Sequence, residues 1–184
     1  MKKILVLAVA LVGFAVTSQA QNASATATQS VSLDLSNAIS ITFTGSGTST
    51  GGAITLPFST VSDYANGVTS TAQQLKVQSN LAFDVAVKSN ATNFTYTGSY
   101  TSGTTMPVSG VLKLMVTANS TGGTVASPFS TSSYATLTDA DQDLITSGTY
   151  GSNQLFSIQY KAEPGFTYPA GTYTTSVVYT ATQL

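Results

Sequence analysis

Large apolar residues fall on every second position along most of the chain. Leu81, Phe83, Val85 and Val87 alternate with Ala82, Asp84, Ala86 and Lys88. Leu75 and Val77 carry the same pattern just upstream, with Ser79-Asn80 as a turn in between. Further on, Leu112, Leu114 and Val116 alternate with Lys113, Met115 and Thr117, and Phe156, Ile158 and Tyr160 alternate with Ser157, Gln159 and Lys161. Near the end, Tyr173, Val177, Tyr179 and Ala181 share one parity. Successive side chains of an extended chain point to opposite faces, so a period of two describes strands with one buried and one wet face. Such strands predict antiparallel sheets packed as a sandwich. A slip of one residue would turn every apolar row to solvent, which holds the register in place.

The N-terminal third differs in texture. Ala23, Ala25, Ala27, Val31, Leu33 and Leu35 all stand on odd positions, followed by Ile39, Ile41 and Phe43. Between them, Ser36-Asn37-Ala38 predicts a bend or bulge. Gly/Ser/Thr runs over 45–52, 98–103 and 119–123 predict loops. One stretch reads as helical. Residues 137–145 offer Thr138 as a cap, acids in the first turn and Gly148 as a stop, which predicts one short helical turn near residues 138–146 on a crossover between sheets.

The chain begins with a different pattern. Met1-Lys2-Lys3 precedes an apolar run from Ile4 to Val16, and small residues stand at Ser18 and Ala20. This is the layout of a secretory signal cleaved after Ala20. The run is too short to span a bilayer, which takes about 20 apolar residues in a helix. The expected organisation is a signal over 1–20, an N-terminal extension or first strand over 21–35 and a β-sandwich domain over 36–184. No later stretch predicts a membrane span. Charged residues make up 7% of the chain, against roughly 25% in ordinary globular proteins. There is no Arg, and four lysines face seven acids once residues 1–20 are removed. A weakly acidic chain of this kind lacks the basic footprint that nucleic acid requires. Its Ser/Thr-rich surface repels neighbours weakly, which suits packing against copies of itself.

Candidate chemistry is sparse. The chain has no Cys and no His, which removes thiol chemistry, the usual base of a serine nucleophile and the commonest zinc ligands. Asp34, Asp63, Asp84 and Glu163 are scattered, and nothing in their spacing pairs them as a glycosidase needs. The expectation is a protein that is not an enzyme and needs no cofactor. Asp139, Asp141 and Asp143 begin like a calcium loop, but Leu144 stands where that loop needs Gly and Tyr150 where it needs Glu. Acids at a helix N-terminus are the simpler reading. Tyr96, Tyr100, Tyr150, Tyr160, Tyr168, Tyr173 and Tyr179 suit strand edges, or alternatively a sugar-binding platform.

The last fourteen residues carry the most specific pattern. Gly171 is fourteenth from the end, and Val177, Tyr179 and Ala181 alternate after it. This resembles the closing strand of chaperone–usher-type fimbrial (pilin) subunits, with Gln183 in place of that family's penultimate aromatic. The preceding Pro169-Ala170-Gly171-Thr172-Tyr173 also resembles the lead-in to the last strand of related spore-coat-like secreted β-sandwich domains. The resemblance implies an all-β, immunoglobulin-like antiparallel β-sandwich with Greek-key connections that lacks one strand. It implies that a periplasmic chaperone, then the extension of the next subunit, supplies that strand by β-strand addition after export to the cell surface through an usher. Subunit or chaperone contacts would then fall on Ala23, Ala25, Ala27, Val31, Leu33 and Leu35 in the donor, and on Gly171, Val177, Tyr179 and Ala181 beside the groove. The alternative is a self-contained secreted β-sandwich, an adhesin or carbohydrate-binding module, with 23–35 as an ordinary first strand. N-terminal mass analysis of protein exported by its native host should find Gln21 as the first residue, and an intact Met1 would contradict the export signal.

Overall fold

A computed structural model describes residues 24–184; the signal expected over 1–20 and the anticipated contact residue Ala23 lie outside the described residues. The chain divides into two units, Met1–Leu35 and Ser36–Leu184. In the first, residues 24–35 contain neither helix nor strand. Val31 and Leu33 are each 78% exposed and Leu35 is 85% exposed.

The second unit contains β1 (Ile39–Phe43), α1 (Val61–Asn66), β2 (Val68–Thr69), β3 (Gln73–Ser79), β4 (Phe83–Ser89), β5 (Thr95–Thr97) and β6 (Leu112–Ser120). After these come β7 (Thr124–Val125), β8 (Ala135–Thr136), β9 (Gln142–Gly148), β10 (Gly151–Ala162), β11 (Thr172–Thr174) and β12 (Val177–Gln183). One antiparallel sheet runs β1-β3-β10-β6-β8, with β2 also on β10, and the other runs β12-β4-β9-β7; β5 and β11 form a separate ribbon. The two larger sheets pack as a sandwich. Its core is built from the apolar rows: Leu75, Val77, Leu114, Val116, Phe156 and Ile158 from one sheet meet Phe83, Val85, Val87, Leu144 and Ile145 from the other. Each fully buried side chain of this kind contributes roughly 1.5–3 kcal/mol.

Three expectations are corrected here. The helical turn near residues 138–146 is absent, because Gln142–Gly148 forms β9 between β4 and β7. Leu144 and Ile145 are both fully buried, at an irregularity in the β4–β9 ladder. Two adjacent inward side chains need such a bulge in a strand, and that burial outweighs the capping pattern at Thr138. The short helix is α1, where Thr60 caps the N-terminus, Asp63 closes a capping box and Gly67 ends the last turn. Thr60 and Asp63 have the same spacing as Thr138 and Asp141, but Val61–Asn66 has no buried residue to pull it into a sheet. The bend expected at Ser36-Asn37-Ala38 is also absent, since the chain runs through these residues without a turn. Finally, Leu81 does not continue the buried row of β4. It lies 36% exposed where the chain crosses from one sheet to the other.

The polar face of β4 is not idle. The Asp84 carboxylate accepts a hydrogen bond from the Ser147 backbone N–H at 2.7 Å, and Ser147 has a φ of 57°, a left-handed conformation that a non-glycine residue adopts at a cost. Asp84 thus holds the backbone where β9 leaves the ladder. Phe83→Ala should lower stability by about 3–5 kcal/mol through the cavity it leaves. Asp84→Ala should cost about 0.5–1.5 kcal/mol through the lost hydrogen bond. Urea melts of the two variants check this, and equal losses would contradict the assignment of faces.

Lys113 and Lys161 stand opposite each other across β6 and β10. Glu163 pairs with both ammonium groups, and the hydrogen bonds from Lys113 and then Lys161 hold its carboxyl below the usual carboxylate range. Because the folded value lies below the unfolded one, this contribution is fully present above about pH 4.3. It fades as pH falls through the folded value. Stability measured from pH 7 down to pH 3 should therefore fall less steeply in Glu163→Gln than in the native chain; identical slopes would show that the pairing is not felt.

Candidate functional site: an open edge between the sheets

Strands β1 and β12 close the two sheets on the same side of the sandwich and lie against one another without pairing. Between them is a groove of about 180 Å³ lined by Ile41, Phe43, Leu75, Val177 and Tyr179. The apolar residues that pack on the core but stay only half-buried include Ile39, Ile41 and Phe43 from β1 and Val177, Tyr179 and Ala181 from β12. In β3, β4, β6 and β10 the inward residues are fully buried. Among the described residues, six of the nine partly buried apolar side chains packed on the core lie along this side; the other three are Phe94, Val125 on β7 and Ala135 on β8.

Tyr179 anchors the groove floor. Its ring meets Phe43 edge-on at 6.0 Å and lies 6.5 Å from Phe156, while its hydroxyl is 2.7 Å from that of Tyr160. Burial pushes the Tyr160 hydroxyl up to about 12, and Tyr179 well above its ordinary value. Both stay neutral at physiological pH, so the pair is a packing and hydrogen-bonding device.

A polar clamp closes one end of the groove. The Gln183 side-chain amide donates to Ala38 O at 2.9 Å, Ser79 Oγ at 3.0 Å and Asn80 Oδ1 at 2.9 Å. Asn80 in turn donates to Ser36 O at 2.9 Å and accepts from the Ala38 N–H at 2.9 Å. A long amide at position 183 thus ties the end of β12 to the start of β1. A phenylalanine ring there has no donor for these bonds, and a tyrosine or tryptophan has only one against the two of the amide.

The other anticipated residues fall elsewhere. Ala25, Ala27, Val31, Leu33 and Leu35 are exposed. Gly171 does not line the groove. It precedes β11, where a Cβ would come within 2.2 Å of the Tyr96 ring, so glycine there is required by aromatic packing. Tyr96 and Tyr173 sit opposite each other on the ribbon, 5.0 Å apart, and their hydroxyls donate to Ala170 O and Pro169 O. These rings fasten the ribbon to its own loop, leaving Tyr100 as the exposed aromatic beside it. The three clustered acids do not converge: Asp139 accepts from Thr92 Oγ1, Asp141 pairs with Lys88, and Asp143 lies on β9. Among the described residues, no group of three or more His, Cys, Asp or Glu side chains is placed to hold a metal ion. No helix among the described residues is long and apolar enough to cross a membrane. No protein-family model and no curated protein matches the chain.

Proposed function

We propose that this chain is a non-enzymatic, exported structural subunit of a fimbria-like or coat-like surface assembly, joined to copies of itself by β-strand addition. One observation carries the reading: the sandwich is incompletely covered along the β1–β12 side, and the same chain carries an exposed alternating segment suited to cover it. Val31, Leu33 and Leu35 repeat at every second residue, as do Val177, Tyr179 and Ala181. Each triplet spans about 13 Å in an extended chain. Donated from a neighbouring copy, 24–35 would supply an immunoglobulin-like sandwich with its missing strand. Burial of Val31, Leu33 and Leu35 would contribute roughly 1.5–3 kcal/mol each, and main-chain hydrogen bonds would add to the affinity. Before assembly the same groove would be held by a strand of a periplasmic chaperone, with an usher passing subunits to the surface.

Size-exclusion chromatography and negative-stain microscopy of the chain over 21–184 separate this reading from a self-contained secreted adhesin or sugar-binding module. Oligomers that grow with concentration are expected, and Leu33→Asp should leave the sandwich folded but stop growth. A native chain that stays monomeric at every concentration, or a Leu33→Asp chain that unfolds, would favour the self-contained domain.

A further inference from the structure

The ribbon of β5 and β11 joins the sandwich through two connections that run side by side, residues 90–94 after β4 and residues 175–176 before β12. The Asn90 N–H donates to the Ser176 carbonyl at 2.9 Å. The Asn90 Oδ1 accepts from the Ser176 N–H at 2.9 Å and from Thr175 Oγ1 at 3.1 Å. On the other flank, the Phe94 N–H donates to the Met106 carbonyl and the Val108 N–H to the Thr92 carbonyl, both at 2.9 Å. Met106 and Val108 are themselves buried. The backbone of 90–94 is thus fixed from both sides.

Thr95 stands opposite Thr174 on the ribbon, and Tyr96 opposite Tyr173. Side chains alternate along a strand, so the ribbon has a threonine face and a tyrosine face. The two rings are spent on the loop beside them. On the threonine face lies a cleft of about 150 Å³ lined by Asn90, Asn93, Thr95, Thr174, Thr175 and Ser176. Each of these side chains is neutral, and each can both donate and accept. The Asn90 Oδ1 and the hydroxyls of Thr174 and Thr175 are engaged with the chain itself. Among the described residues no protein group bonds the Asn90 NH2, the Asn93 amide or the hydroxyls of Thr95 and Ser176, and all four residues are exposed.

Charge narrows the choice of occupant. Residues 89–112 and 164–184 contain no charged side chain. Next to them, Lys88 pairs with Asp141, and Asp139 accepts from Thr92 Oγ1. The lining offers an anion no cationic partner and a cation no carboxylate. It matches a neutral ring that carries several hydroxyls, because a primary amide can donate to one hydroxyl and accept from its neighbour. The volume is well below the roughly 300–1,000 Å³ of sites for drug-sized ligands, which limits the occupant to a single sugar ring.

We propose that this cleft binds one ring of a neutral glycan, held by the Asn90 and Asn93 amides and the Thr95 and Ser176 hydroxyls. It shares no lining residue with the β1–β12 groove, so glycan binding and assembly stand or fall separately.

Saturation-transfer NMR on the chain over 21–184 tests the site, since it reads a weakly bound sugar on a monomer and on an oligomer alike. The probes are the methyl glycosides of galactose, mannose, glucose and N-acetylglucosamine, with methyl glucuronide as the charged counterpart. At least one neutral glycoside should receive saturation at its ring protons, and the glucuronide should receive less. Asn93→Ala removes an amide that has no protein partner among the described residues, so the variant should keep its melting midpoint while its affinity for that glycoside falls about tenfold. Ser176→Ala should weaken binding in the same direction, and it covers the case in which Asn93→Ala does not fold. Transfer to none of the four neutral glycosides, stronger transfer to the glucuronide, or undiminished transfer in both variants would overturn the proposal. Oligomer growth measured in parallel should match the native chain in both variants, so a loss of glycan binding alone leaves the assembly reading standing.

Discussion

An apolar core shared by two sheets must be closed on every side, and along one side here it is bordered by two edge strands, β1 and β12, that lie against each other without pairing. In β12, Ser176 and Leu184 bond toward β4, so the N–H and C=O groups of Val177, Tyr179, Ala181 and Gln183 point away from it. Leaving such groups poorly solvated costs free energy comparable to a lost hydrogen bond. Half-buried Val177, Tyr179 and Ala181 add uncovered apolar surface to the same place. Backbone and side chains therefore favour the same ligand, an extended segment with apolar residues at every second position. That is why the exposed row of Val31, Leu33 and Leu35 gains meaning from the groove.

The remainder of the domain holds this edge in place. Without disulfides, the core rows of β3, β4, β6, β9 and β10 carry the stability. Polar contacts fix the backbone where the pattern breaks: Asp84 at Ser147, Glu163 between two lysines, and Asn80 with Gln183 at the start of β1. Open strand edges are sites of unwanted pairing, and proteins blunt them with loops and local covers. The loop carrying Gly47 and Thr48 does this for β1, whereas β12 has no such cover among the described residues.

Much of the architecture was legible as period two. The rows of Leu75 and Val77, of Phe83, Val85 and Val87, of Leu112, Leu114 and Val116, and of Phe156, Ile158 and Tyr160 all face the core. The placement of the helix was not legible, because Thr60 and Thr138 carry the same capping pattern and only tertiary burial of Leu144 and Ile145 separates them. The groove was legible in part. Parity marked Val177, Tyr179 and Ala181 as one face, but which strands form the sheet edges depends on long-range pairing that local spacing does not encode. Gly171 illustrates the same limit: its position from the chain end suggested a role in the closing strand, while its neighbour in space is Tyr96, far away in sequence. Gln183 departed from the aromatic expected there, and its three hydrogen bonds supply the physical reason.

The absence of native cysteine makes a direct test of strand exchange clean. Cysteine placed at Ala181 is paired in turn with cysteine at Val31, Leu33 or Leu35, and each double variant is oxidised gently and run on a non-reducing gel. Residues directly opposite on adjacent strands have Cβ atoms about 4.5–5.5 Å apart, and a small shift brings one such pair to the roughly 3.5–4.5 Å of a disulfide, so the pair facing each other in the assembled register should react. Donation between copies predicts a ladder of covalent multimers for at least one pairing, collapsing to monomer on reduction. Covalent monomers closed on themselves, or no disulfide with any of the three, would contradict it.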